Sequence, residues 1–365
     1  MRTPWLRVSG FVVALLVLVA PPAFAAVTAT PDPLNQGVVA VGQTITDVVT
    51  LTHSSGGSDQ VSSITETGAQ CNQFTVTPQV ALPVNLTGSQ TLLLDVEFAP
   101  TSAGNKTCTI TVLDASAQTL DTFIVNGTGG VPDISLSSGT LTFTALVGSS
   151  QARTLTVSNV GNVPLNLTSV GPASGGAATD YSVSPESMDP IDPGGSMVVT
   201  ITFTAGAAGA RNSSFAIVSD DPDEASVSVT LNGTGQTAIM AFNPAMQDFG
   251  VVEAGTTATD TIAVQNTGTG TLSLTSATIT GNEASWFSFT NTPQSGCLGA
   301  QTCNYAPLTF TAGQSRSIGI RCSPPSGSSV TGGATLTFTG NETSGPTDVP
   351  LFCTGGVVVF DISSS

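Results

Sequence analysis

A four-residue signature returns along this chain. It reads Asn126-Gly-Thr-Gly129, then Asn232-Gly-Thr-Gly235, then in altered form Phe352-Cys-Thr-Gly355. Self-similarity of this kind means that one folding unit is used several times, which argues against a single large barrel. Matching segments lie upstream of each copy in the same order. One series is Val49-Thr-Leu-Thr-His53, Leu155-Thr-Val-Ser-Asn159 and Ile262-Ala-Val-Gln-Asn266. Another is Leu92-Leu-Leu-Asp-Val-Glu-Phe98, Met197-Val-Val-Thr-Ile-Thr-Phe203 and Arg316-Ser-Ile-Gly-Ile-Arg-Cys322. These segments alternate with period 2, so Met197, Val199, Ile201 and Phe203 share one face of a strand. Val, Ile, Thr, Leu and Phe suit a half-buried pleated surface, and turns such as Asp192-Pro-Gly-Gly195 separate the runs. About seven short strands per roughly 100 residues is the pattern of an immunoglobulin-like sandwich. The expectation is an all-β chain of three tandem immunoglobulin-like β-sandwich domains.

The N-terminus reads differently. Arg2 and Arg7 precede the apolar run Phe11-Val-Val-Ala-Leu-Leu-Val-Leu-Val-Ala20, which ends in Pro21-Pro22 and Ala23-Phe24-Ala25. A positive start, a short apolar stretch and an A-x-A stop predict a signal peptide over residues 1–25, too short to serve as a membrane span. The mature chain then keeps five basic residues against 24 acidic ones. That balance excludes electrostatic capture of nucleic acid or anionic lipid, which needs clustered Lys and Arg. In an exported chain the default reading of the six cysteines is disulfides.

The second repeat carries Asn159-Val-Gly161, Tyr181-Ser-Val183, Pro193-Gly194, Phe203-Thr-Ala205, Ser219-Asp-Asp-Pro222 and Leu231-Asn-Gly-Thr-Gly235. The third supplies Phe249-Gly250, Asn266-Thr-Gly268, Phe287-Ser-Phe289 and Pro324, and the first keeps Phe98-Ala-Pro100 but has His53-Ser-Ser at the Asn-x-Gly position. This order resembles the Hydin-type (ASH) immunoglobulin-like domain, found in bacterial exported proteins including those called choice-of-anchor D. The resemblance covers nearly all of the mature chain. It implies a fold and an exported scaffold role, and no reaction, because this fold hosts many functions. The predicted domains are residues 26–129, 130–236 and 237–356, with 357–365 a tail or the stub of a further repeat. Junctions as short as Gly235-Gln-Thr-Ala238 predict a semi-rigid rod.

Catalytic chemistry finds little to work with. His53 is the lone histidine and aligns with Asn159 and Asn266, so it reads as a turn-capping group; Lys106 is the lone lysine. No nucleophile elbow or phosphate loop is present, so the chain is read as non-enzymatic and without a cofactor. The acidic run containing Asp220, Asp221, Asp223 and Glu224 has the donors a calcium ion wants, but the same residues make a solvated turn, which is the reading adopted. Seven Asn-x-Ser/Thr triplets start at Asn85, Asn105, Asn126, Asn166, Asn212, Asn232 and Asn341. In a secreted eukaryotic chain these are glycan acceptors; the bacterial resemblance implies no glycans.

Cys71 and Cys108 are the only cysteines of the first repeat and should pair. The four in the third repeat allow three connectivities. Alignment gives Cys322 the inward position of Phe98 and Phe203 and puts Cys353 at the end of the last strand. Cys297 and Cys303 lie close together in an inserted loop, so the pairs expected are Cys322–Cys353 and Cys297–Cys303. Phe287 aligns with Phe74 and Tyr181, the core aromatic of the resembled family. Strand alternation then turns Trp286 outward, as it does its polar counterparts Gln73 and Asp180. Trp286 beside the inserted loop and Tyr305 is therefore a candidate contact patch. The function expected is a structural or interaction module, secreted, on the cell surface or in the periplasm. The alternative is an adhesin that uses this patch on an unidentified surface protein or glycan.

Overall fold

The computed structural model describes residues 27–54, 56–291, 297–345 and 347–356. The expected signal peptide (1–25) and tail (357–365) lie outside the described residues. The chain divides into two compact units, Met1–Val131 and Pro132–Ser365. The first holds one hydrophobic core and the second holds two. No α-helix occurs among the described residues, and the strands make up an all-β fold of tandem immunoglobulin-like sandwiches.

Each core is closed between two sheets of one plan. In the first sandwich Val27–Thr30, Ile45–His53, Thr91–Phe98 and Phe74–Pro78 face Leu34–Ala40, Thr119–Gly130, Gly104–Leu113 and Ser63–Thr67. The opening strand is split between the layers. Its first half pairs antiparallel with Ile45–His53, and its second half pairs parallel with Thr119–Gly130. The second sandwich repeats the plan, with Ile134–Leu136 against Ser150–Asn159 and Thr140–Leu146 parallel to Ser226–Gln236. The third does so with Met240–Asn243 and Gln247–Glu253. Alternation does the sorting: in Ser196–Thr204, Met197, Val199, Ile201 and Phe203 are buried while Thr200 and Thr204 are exposed.

A short segment beside one sheet edge differs between the repeats. In the first, Val84–Thr87 pairs with Ser58–Val61. In the second only the bridge Leu165–Ile191 remains. In the third it grows into Thr302–Phe310, a fifth strand along Leu272–Thr280. The inserted segment expected as a loop is thus partly sheet.

Candidate functional site

The most informative place lies just before each core aromatic. Phe74, Tyr181 and Phe287 begin a strand, and each follows a 3-10 turn: Cys71–Gln73, Ala178–Asp180 and Ala284–Trp286. The residue ahead of the aromatic therefore belongs to a turn, and strand alternation does not govern it. Gln73, Asp180 and Trp286 are all buried, with Trp286 only 8% exposed. The outward orientation expected for these three is corrected accordingly.

Each fills the same place with different chemistry. Gln73 Oε1 accepts from the Thr101 backbone N–H at 2.6 Å and from its hydroxyl at 3.0 Å. Asp180 accepts from Gly206 N at 3.0 Å and from Arg211 Nε and Nη2 at 2.6 and 3.0 Å. The Arg211 hydrogen bonds, against a smaller opposing push from burial, hold the Asp180 carboxyl below the usual carboxylate range. Burial pushes the neighbouring Tyr181 hydroxyl up to about 12, and that hydroxyl donates to Arg211 O at 2.7 Å. Thr101 and Gly206 stand three residues past Phe98 and Phe203. Three past Cys322 stands Pro325, which has no N–H to offer. Cross-strand pairing places Gly332 where the first two sandwiches have Lys106 and Arg211, and the Trp286 ring lies over Gly332. A polar latch has become an apolar lid. Sequence carried the signal in Pro325 and Gly332, which are invisible until the strands are paired.

Tyr305 is likewise no surface group. It lies in Thr302–Phe310, where Cys303 and Tyr305 alternate inward with Asn304 outward, and it is 6% exposed. Burial raises its hydroxyl to about 12. The candidate patch of Trp286 and Tyr305 is therefore part of the core of the third sandwich, and an adhesin reading built on it is withdrawn.

The structure joins Cys71 to Cys108, Cys297 to Cys303 and Cys322 to Cys353, with no free cysteine among the described residues. The last link has a counterpart without sulfur. In the first sandwich the Phe98 ring occupies the space where a side chain on Gly127 would sit, and Phe203 with Tyr181 does the same over Gly233. The matching pair in the third is Cys322 and Cys353, so a phenyl ring over a glycine has been exchanged for a covalent bond.

His53 is fully buried, with Nδ1 2.9 Å from Gly88 O and Nε2 3.0 Å from Asp59 Oδ2. Asn159 holds the same corner by donating to Val163 O and Ile191 O, and Asn266 by donating to Gly270 O and Phe310 O. All three tie a turn to the neighbouring segment beside the sheet edge.

In the acidic turn, Asp221 is 1% exposed. Its Oδ2 accepts from Ile134 N at 2.7 Å, and its Oδ1 from Asp223 N and Glu224 N at 3.1 and 3.2 Å. Burial pushes this carboxyl up, but the bonds from Ile134, Asp223 and Glu224 prevail and keep it below the usual range. Asp220 is engaged with Asn166 at 2.8 and 2.6 Å. Oxygens of Asp133, Asp221 and Glu224 approach within 4.8 Å of one another, but both Asp221 oxygens are already occupied. The turn pins the opening strand, as Asp121 does through Ala29 N and Thr343 through Ala238 N.

The family model for the HYDIN/CFA65/VesB-like Ig-like domain matches residues 132–234 and 238–322, just over half of the chain. The chain belongs to this family. No curated protein matches it. Among solved structures, a protein of unknown function from Porphyromonas gingivalis W83 is 16% identical, covering 57% of this chain and 99% of its own, with a TM-score of 0.24. The titin I-band fragment I67–I69 is 8% identical, over 92% of this chain and all of its own, at a TM-score of 0.28. An ASH/PapD-like domain of human CEP192 is 17% identical, over 29% and 86%, at 0.23. At such identities the likeness concerns the fold alone.

Proposed function

We propose that this chain is an exported, non-enzymatic structural or interaction module that presents tandem Ig-like domains outside the cytoplasm. The observation that carries the reading is how the polar groups are used. His53, Asp180, Arg211 and Asp221 all serve to hold turns and strand ends in place. Three disulfides favour an oxidising compartment, and no helix among the described residues is long and apolar enough to cross a membrane. The N-terminal run of residues 1–25 supports export, and the bacterial resemblance supports the periplasm, cell surface or medium as its destination.

The test is fractionation of producing cells with mass spectrometry of the N-terminus. A chain beginning at Ala26, oxidised and outside the cytoplasm, is expected. A cytoplasmic chain that keeps residues 1–25 overturns the reading.

A further inference from the structure

Two of the Asn-x-Thr triplets have a use that sequence counting does not show. In the first sandwich Asn126 lies opposite Thr107, and Thr128 lies opposite Asn105. The Thr107 hydroxyl donates to Asn126 Oδ1 at 3.0 Å, and the Thr128 hydroxyl donates to Asn105 Oδ1 at 2.9 Å. The hydroxyl of each triplet thus serves the amide of the other. On the far side Asn126 Nδ2 donates to Asn35 Oδ1 at 3.0 Å. The parallel register slips there between Asn126 and Thr128, across a bulge at Gly37, whose φ of 69° suits glycine. The outcome is a surface groove of about 300 Å³ lined by Asn35, Gly37, Asn105, Thr107, Asn126 and Thr128, with Lys106 in its wall. That volume lies at the small end of ligand sites.

We infer that this groove binds a neutral sugar. An amide group offers two donors and two acceptor positions. Here the oxygens of Asn35, Asn105 and Asn126 are taken, while the amide nitrogens of Asn35 and Asn105 are uncommitted among the described residues. Threonine oxygens remain as acceptors. A ring of hydroxyls, each able both to donate and to accept, matches this mixed set. An anion only accepts; Lys106 Nζ is turned to Ala103 O at 2.8 Å, and a formal charge of −17 repels anions at long range. The other sandwiches lack the set. Asn232 faces Thr142 in an unbroken register, and Phe352 stands in place of Asn126, opposite Asp248. Among the described residues no aromatic ring lines the groove, so affinity is weak and resides in hydrogen bonds.

The inference gives the interaction-module reading a ligand, and depends on it only for where the sugar is met. The experiment is a titration of the ¹⁵N-labelled mature chain with the methyl glycosides of glucose, galactose, mannose and N-acetylglucosamine. Saturable shifts of the Asn35 and Asn105 side-chain amides are expected with at least one sugar. The variant N35A/N105A should weaken that binding at least tenfold, and T142A in the second sandwich should leave it unchanged. Absence of saturable shifts with all four sugars, or unchanged affinity in N35A/N105A, overturns the inference. Should the double variant not fold, the wild-type amide shifts decide alone. A cytoplasmic location would sink the export reading without touching this result.

Discussion

The second and third sandwiches close the same end of the same framework by opposite means. In the second, Asp180 is latched by Arg211 and Gly206 N, and the Phe203 ring lies over Gly233. In the third, Trp286 lies over Gly332, and Cys322 is bonded to Cys353. The differences come in linked sets: removing the N–H at Pro325 removes the reason for a carboxylate, and removing the arginine makes room for an indole. An aligned position in a repeat therefore inherits a location but not a chemistry. Its chemistry is set by what the paired strand offers.

The largest break of this comparison is Trp286→Ala. Deleting a buried indole that lies over a glycine leaves a cavity in the core, so the third sandwich should lose about 4 kcal/mol. Hydrogen exchange on the mature chain would place the loss there. Protection that stays at the wild-type level would mean that the ring is a surface group after all.

A smaller effect sharpens the equivalence of the sulfur link and the phenyl-over-glycine contact. Replacing both Cys322 and Cys353 by Ala should cost about 3 kcal/mol, since the bridge closes a loop with a sequence separation of 31. The exchange Cys322→Phe with Cys353→Gly should recover at least half of that in denaturant unfolding. A swap no better than the double alanine would show that the two contacts are not interchangeable.

The smallest effect belongs to the latch. Asp180→Asn keeps the shape but loses the charge facing Arg211, at a cost of about 2 kcal/mol at neutral pH. The sign of its pH dependence follows from a carboxyl whose folded pKa is depressed. Its contribution is complete above the unfolded value of about 4 and disappears as pH falls through the lower folded value. The difference between wild type and Asp180→Asn should accordingly shrink below about pH 4. A difference that is constant down to strong acid would remove the ion pair from the account.

Much of the framework was legible in the sequence because strands announce themselves locally. Period-2 runs such as residues 197–203 report their buried face directly, and the recurring Asn-Gly-Thr-Gly, altered to Phe352-Cys-Thr-Gly355 in the third repeat, marks the end of each final strand. The cysteine pairs were readable on three separate grounds: Cys71 and Cys108 are the two of the first repeat, Cys322 and Cys353 hold positions aligned with the framework, and Cys297 and Cys303 lie close together in one insertion. What failed was an orientation. Extending alternation one residue past the strand sent Trp286 outward, whereas a 3-10 turn, which carries no strand period, folds it in.

The sequence by itself determined the β period, the threefold use of one sandwich and which positions share a place in it, because these depend on spacing along the chain. Only the tertiary structure decided which residues from distant strands meet: Trp286 with Gly332, Asp180 with Arg211, and Asn35 with Asn126 across a slipped register. Those contacts arise from strand pairing and from a bulge at Gly37, and neither is encoded in any single segment.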